Sequence, residues 1–94
     1  MEGTKQLFEL GMMVITPGAQ EALDKSHQSA AFFLVRHGTG DWGIMPEDDK
    51  EQNELALKDG SRIFSAYLTL KNEKIWVITE ADRSITTILL PSEY

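Results

Sequence analysis

Three clusters of polar residues in this 94-residue chain carry side chains of the kinds that do chemistry. The first is Arg36, His37, Asp41 and Trp42, set among Gly38, Gly40 and Gly43. Histidine titrates near neutrality, so His37 beside a glycine-rich loop is a candidate general acid or base. The competing reading has His37 and Asp41 hydrogen-bonding the loop and capping helix ends, with Trp42 packed over them as a lid. The second cluster is Asp49 and Asn53, four residues apart and therefore on one face of a helix. They can reach the preceding loop, or contribute oxygens to a ligand site. One carboxylate and one amide fall short of a metal site, because hard cations take several oxygen ligands. The third is Glu80, Asp82 and Arg83, crowded into the turn Thr79–Ser84. A guanidinium there suits bidentate contact with a carboxylate or phosphate. Alternatively Asp82 and Ser84 bond the turn backbone and Arg83 pairs with Glu80. No nucleophile–base pair, phosphate-cradling loop or metal set stands at readable spacing, and no cofactor is expected.

The elements that position these clusters read as an α+β domain covering residues 1–94. Residues Leu7 to Ile15 alternate at period two and suit a first strand buried on both sides. Thr16-Pro17 reads as an N-cap with proline in the first turn of a helix that runs to about Lys25 and buries Ala19, Ala22 and Leu23. The run Ala30 to Val35 suits a buried strand or a buried helix equally by periodicity. The polar lead-in Ser26 to Ser29 and the stop at Gly38 favour helix. Pro46, followed by acidic residues, starts a third helix to about Lys58, with Leu55 and Ala56 inward and Gly60 as its stop. From there the pattern is β: Ile63 to Leu70, Ile75 to Thr79 and Ile85 to Leu90, with polar breaks at Lys71–Lys74 and Glu80–Ser84 and Pro91 at the end. The order β-α-α-α-β-β-β predicts a four-stranded, mainly antiparallel sheet with helices packed on it and a C-terminal β-meander. Tyr67 and Trp76 are expected to face each other across neighbouring strands.

Composition narrows the function classes. Hydrophobic residues at 41% and charged residues at 26% are ordinary for a globular chain. The absence of cysteine removes disulfides, thiolate nucleophiles and cysteine-ligated metals. The apolar stretch Leu7 to Ile15 holds Glu9, lacks a basic flank and is too short to span a bilayer, so no signal or membrane segment is expected and a cytoplasmic setting is. A net charge of −6 argues against nonspecific nucleic-acid binding. Much of that charge lies in Glu47, Asp48, Asp49, Glu51 and Glu54, which reads as a solvated helix face before it reads as a nucleic-acid mimic.

Two resemblances bear on function. Leu34 to Thr39 resembles the Arg-His-Gly signature of histidine phosphatases. Those enzymes require a second catalytic histidine and further phosphate-binding arginines downstream. Here the other histidine is His27, upstream, and the other arginines are Arg62 and Arg83. The chain is also too short for that fold, so the match carries no function. The second resemblance runs over most of the chain: Arg36-His37, Gly40-Asp41-Trp42-Gly43, Asn53 to Leu57, Ser65-Ala66-Tyr67, Ile75 to Ser84 and Thr86 to Tyr94. In these the chain is similar to a family of short bacterial proteins often labelled plasmid-related, which implies a mobile-element or phage setting and no particular activity. The expected function is a binding or regulatory module acting through contact with a protein partner, with homodimerisation open. The alternative is a small enzyme on a phosphorylated compound or nucleic acid, with His37, Asp41 and Arg83 in its site.

Overall fold

The computed structural model describes residues 5–94. Elements follow in the order β1 (Met12–Ile15), α1 (Pro17–Ser26), α2 (Ala30–Gly38), α3 (Glu47–Asp59), β2 (Ile63–Leu68), β3 (Lys74–Thr79) and β4 (Ile85–Leu89), closed by a 3₁₀ turn at Pro91–Glu93. The fold is α+β, as expected, and Ala30–Gly38 is helical. Strands β2, β3 and β4 form the antiparallel meander, while β1 joins β4 in parallel to give the sheet order β1-β4-β3-β2.

Helix boundaries follow local chemistry. The Thr16 side chain accepts from the Ala19 amide at the start of α1, and Ser29 does the same for Phe32 in α2. Three acidic residues occupy the first turn of α3, and Gly60, at φ 82°, ends it in the left-handed conformation. Pro46 stands one position outside that helix as its N-cap.

Side-chain alternation separates the two faces of the sheet. Ile63, Ser65 and Tyr67 of β2 lie in register with Thr79, Val77 and Ile75 of β3, and Thr86 and Ile88 of β4 continue the row. This face meets the helices and holds the main core with Ala19, Leu23 and Phe33. The other face carries Phe64, Ala66, Trp76, Ile78 and Leu89. It is covered in part by Tyr94, whose ring meets Trp76 edge-on at 5.6 Å.

Three expectations are corrected. The first strand is only Met12–Ile15 and its first three residues are exposed. Gly11 turns at φ 65° directly against the Ser84 carbonyl, and the chain before it leaves the sheet for α2, where the Leu7 amide bonds the Gly38 carbonyl. Leu55 is exposed, because α3 turns Asn53, Ala56 and, in part, Leu57 inward instead. Tyr67 lies opposite Ile75 and Trp76 opposite Ala66, so the two aromatics occupy opposite faces. Among the described residues no helix is long and apolar enough to cross a membrane.

Candidate functional site

His37 comes from the last turn of α2 and points straight into the core-facing row of the sheet, where it is fully enclosed. Its Nδ1 lies 2.6 Å from the Ser65 hydroxyl and its Nε2 lies 2.9 Å from that of Thr79. Thr79 is 2.7 Å from the Thr86 hydroxyl, which donates to the Leu10 carbonyl at 2.7 Å. A hydroxyl has one proton, so that last bond orients the whole chain of groups. Thr86 donates to Leu10 and accepts from Thr79. Thr79 then accepts from a protonated Nε2, and Nδ1 accepts from Ser65. Burial pushes the His37 pKa down to about 3, so the ring is neutral at physiological pH. Every polar atom of the imidazole is satisfied inside the protein, and the His37 side chain neither caps a helix nor bonds the loop.

Arg36 and Asp41 do bond the loop. The Arg36 Nε donates to Asp41 Oδ2 at 2.7 Å, and Asp41 Oδ1 accepts from the Gly43 amide at 3.2 Å. Pairing with Arg36 lowers the Asp41 pKa, and the same hydrogen bond raises that of Arg36. The guanidinium lies 4.5 Å from the Tyr67 ring centroid, while the Tyr67 hydroxyl donates to the Asp41 carbonyl at 2.6 Å. Burial pushes the Tyr67 pKa up, so it stays a donor. Trp42 is buried and donates from its indole to Glu54 at 3.0 Å.

Arg83 stands at φ 62° in the β3–β4 turn. Its Nη1 donates to the carbonyls of Ser61, Glu80 and Ala81, and its Nη2 donates to that of Ala56 at 3.1 Å. The guanidinium therefore ties the end of α3 to the meander, in place of an ion pair with the Glu80 side chain. Asp82 accepts from the Ser84 amide and hydroxyl, which lowers its pKa and closes the turn. Glu80 is exposed and its side chain makes no hydrogen bond or ion pair among the described residues. The Phe8 ring packs against His37, Trp42 and the Arg83 guanidinium, so one aromatic side chain joins the first and third clusters. Phe8 carries no signal in the sequence beyond its hydrophobicity.

The second cluster opens onto a different place. A cleft of about 460 Å3 runs between the start of α3 and the sheet face that carries Phe64 and Trp76. Phe64 and Trp76, edge to face at 4.8 Å, form its floor with Ala66 between β2 and the loop. Asp49 and Gln52 stand on the α3 wall, and Arg62 and Lys74 approach from the two ends of β2. Neither cation forms an ion pair among the described residues. Arg62 donates to the Tyr94 hydroxyl at 3.0 Å, which raises its pKa. Asn53 also lines the cleft, but its amide is committed: it donates to the Phe64 carbonyl at 2.7 Å and accepts from the Phe64 amide at 3.1 Å.

The nine residues singled out by type and spacing thus fall into separate roles. Arg36, His37, Asp41, Trp42, Asn53, Asp82 and Arg83 are bound up in internal hydrogen bonds. Asp49 lines the cleft and Glu80 is free at the surface. Arg62, Lys74, Phe64 and Trp76 were not distinguishable beforehand, because cross-strand register, not spacing along the chain, gathers them. No group of three or more His, Asp or Glu able to hold a metal occurs among the described residues. No family model, curated protein or solved structure matches the chain.

Proposed function

We propose that the chain is a small binding module that works through contact with a protein partner, with the aromatic cleft as its recognition site. The observation that carries this reading is the juxtaposition of an aromatic floor with Arg62 and Lys74, both without an acidic partner among the described residues. Recognition sites combine a mainly apolar surface with a few polar groups that fix orientation. The cleft suits an extended peptide that lays an apolar side chain on Phe64 and Trp76 and presents a carboxylate to either cation. Arg36, His37, Asp41 and Arg83 support the same reading indirectly, since their hydrogen-bonding capacity is used in holding the fold. Neither the cleft nor a groove between Met13 and the Ala31, Leu34 and Val35 side of α2 is lined by His37, Asp41 or Arg83, which weighs against the enzymatic alternative. The resemblance to short plasmid-related proteins supports a mobile-element or phage setting.

Selection from a displayed random-peptide library tests the reading. Enriched peptides should combine an acidic residue with an aromatic or branched aliphatic one and shift the amide resonances of Phe64 and Trp76. Binding should fall at least tenfold in Trp76→Ala and in Arg62→Glu. Peptides that bind with those resonances unmoved would overturn the cleft as the site.

A further inference from the structure

The two edges of the sheet are treated in opposite ways. In β2 the outward backbone groups belong to Phe64, Ala66 and Leu68. The first two are covered: Asn53 takes both groups of Phe64, while Ala66 bonds the Trp42 carbonyl and the Ile44 amide. At the other edge, the Met12 amide bonds the Ser84 carbonyl and the Thr16 amide bonds that of Ile88. In a parallel ladder this turns Met12, Val14 and Thr16 toward β4 and leaves the amides and carbonyls of Met13 and Ile15 pointing outward. Proteins normally blunt such an edge with charge, proline, a bulge or a covering element. Met12-Met13-Val14-Ile15 has no charge, and among the described residues nothing covers its outward edge.

We infer that β1 is a self-association edge, pairing antiparallel with β1 of a second copy into a continuous eight-stranded sheet. This does not rest on the cleft or on its ligand. The register follows from what brackets the strand. Gly11 is left-handed at φ 65° and Pro17 has no amide proton, so neither can extend the ladder. Only a two-fold axis at Val14 uses both Met13 and Ile15. Each then exchanges two hydrogen bonds with the other residue in the second copy, and Val14 faces Val14.

Three observations name a second copy as the occupant. The strip is self-complementary, as a two-fold interface must be. Its side chains are apolar and already paired with a recess: Met13 forms one wall of a groove of about 360 Å3 whose other wall is Ala31, Leu34 and Val35 of α2. Ile15 of the second copy would stand beside Met13 on that face. Met12, Met13, Val14 and Val35 are each 38–66% exposed. At large apolar side-chain areas of about 170 Å2 that is roughly 370 Å2 per copy, or about 750 Å2 for two, the size of a weak, reversible pair. Charge points the same way. The acidic helix α3 packs on β2, at the far edge, so pairing through β1 keeps the two acidic helices as far apart as the sheet allows.

The native chain has no cysteine, which makes the test direct. In Val14→Cys the two sulfurs meet across a non-hydrogen-bonded pair, the closest kind of cross-strand pair, and mild oxidation should give a covalent dimer. Val35→Cys, on α2 away from the axis, should cross-link at least tenfold more slowly. Sedimentation equilibrium from roughly 5 to 500 μM, the range for an interface of this size, should show a monomer–dimer equilibrium. Met13→Lys, at an exposed position, should shift it at least tenfold toward monomer. A wild-type chain monomeric throughout that range would overturn the inference. So would a dimer that forms no Val14→Cys disulfide. If Met13→Lys fails to fold by circular dichroism, the disulfide alone decides.

Discussion

The imidazole of His37 is held between the Ser65 hydroxyl at 2.6 Å and the Thr79 hydroxyl at 2.9 Å, with no solvent access. Burial holds its pKa at about 3 against 6.5 for a free histidine. Between those values the unfolded chain binds a proton that the folded chain refuses, so stability falls as pH falls through that window. It is fully present above about 6.5. The expected slope approaches 1.4 kcal/mol per pH unit at its steepest. Urea denaturation at intervals from pH 7.5 to 4 measures it. His37→Gln should flatten the dependence above pH 5, while lowering stability at pH 7 by about 1–3 kcal/mol for the unmatched hydroxyls. A separate check is the proton position: the side-chain nitrogen shifts should report the Nε2–H tautomer, because the Leu10 carbonyl orients the whole chain of hydroxyls.

Asn53 stands in for a neighbouring strand by bonding both backbone groups of Phe64. Asn53→Ala leaves a partly buried donor and acceptor without partners and should cost about 1–3 kcal/mol. Asn53→Asp keeps the acceptor and loses the donor, so it should fall between. Hydrogen exchange locates the effect: the Phe64 amide should lose protection first, with the β3–β4 ladder unchanged.

Arg83 makes four hydrogen bonds to carbonyls of α3, of the loop after it and of the β3–β4 turn, and forms no ion pair among the described residues. Arg83→Lys keeps the charge but not the planar fork, and should destabilise nearly as much as Arg83→Ala, by about 1–2 kcal/mol in thermal or urea unfolding. Peptide binding at the cleft should be unchanged in Arg83→Lys, since the residue lies outside the cleft lining.

Elements with strong local signals were legible in the sequence. Thr16-Pro17, Ser29, the acidic start of α3 and Gly60 each mark a helix end through chemistry of adjacent residues. The meander was legible because alternation and turn residues agree. What failed depends on contacts distant in the chain. The strand at Leu7–Ile15 looked long because its alternation is genuine, but Gly11 breaks it against the Ser84 carbonyl. His37 reads as an acid or base or as a loop-bonding residue, and is neither, because nothing in its neighbours along the chain reveals Ser65 and Thr79 on either side of it. The cleft was hidden for the same reason: Arg62 and Lys74 become neighbours of one floor only through the pairing of β2 with β3.

Gly43 and Gly60 share a left-handed backbone, at φ 78° and 82°, yet differ in what surrounds them. A methyl group at Gly60 meets nothing within 4 Å, so Gly60→Ala isolates the conformational cost, about 1–2 kcal/mol. At Gly43 the added carbon would sit 1.9 Å from the Ala66 carbonyl oxygen and 2.6 Å from the Tyr67 ring. Real atoms cannot approach so closely, and both neighbours are buried and fixed. The loop must therefore leave β2, taking with it the Trp42 and Ile44 bonds that cover that edge. Gly43→Ala should cost about 3 kcal/mol or more. It should also uncover Ala66 to hydrogen exchange, which Gly60→Ala should leave protected. Equal losses in the two variants would mean that backbone strain alone, and not the close approach to Ala66, requires glycine at position 43.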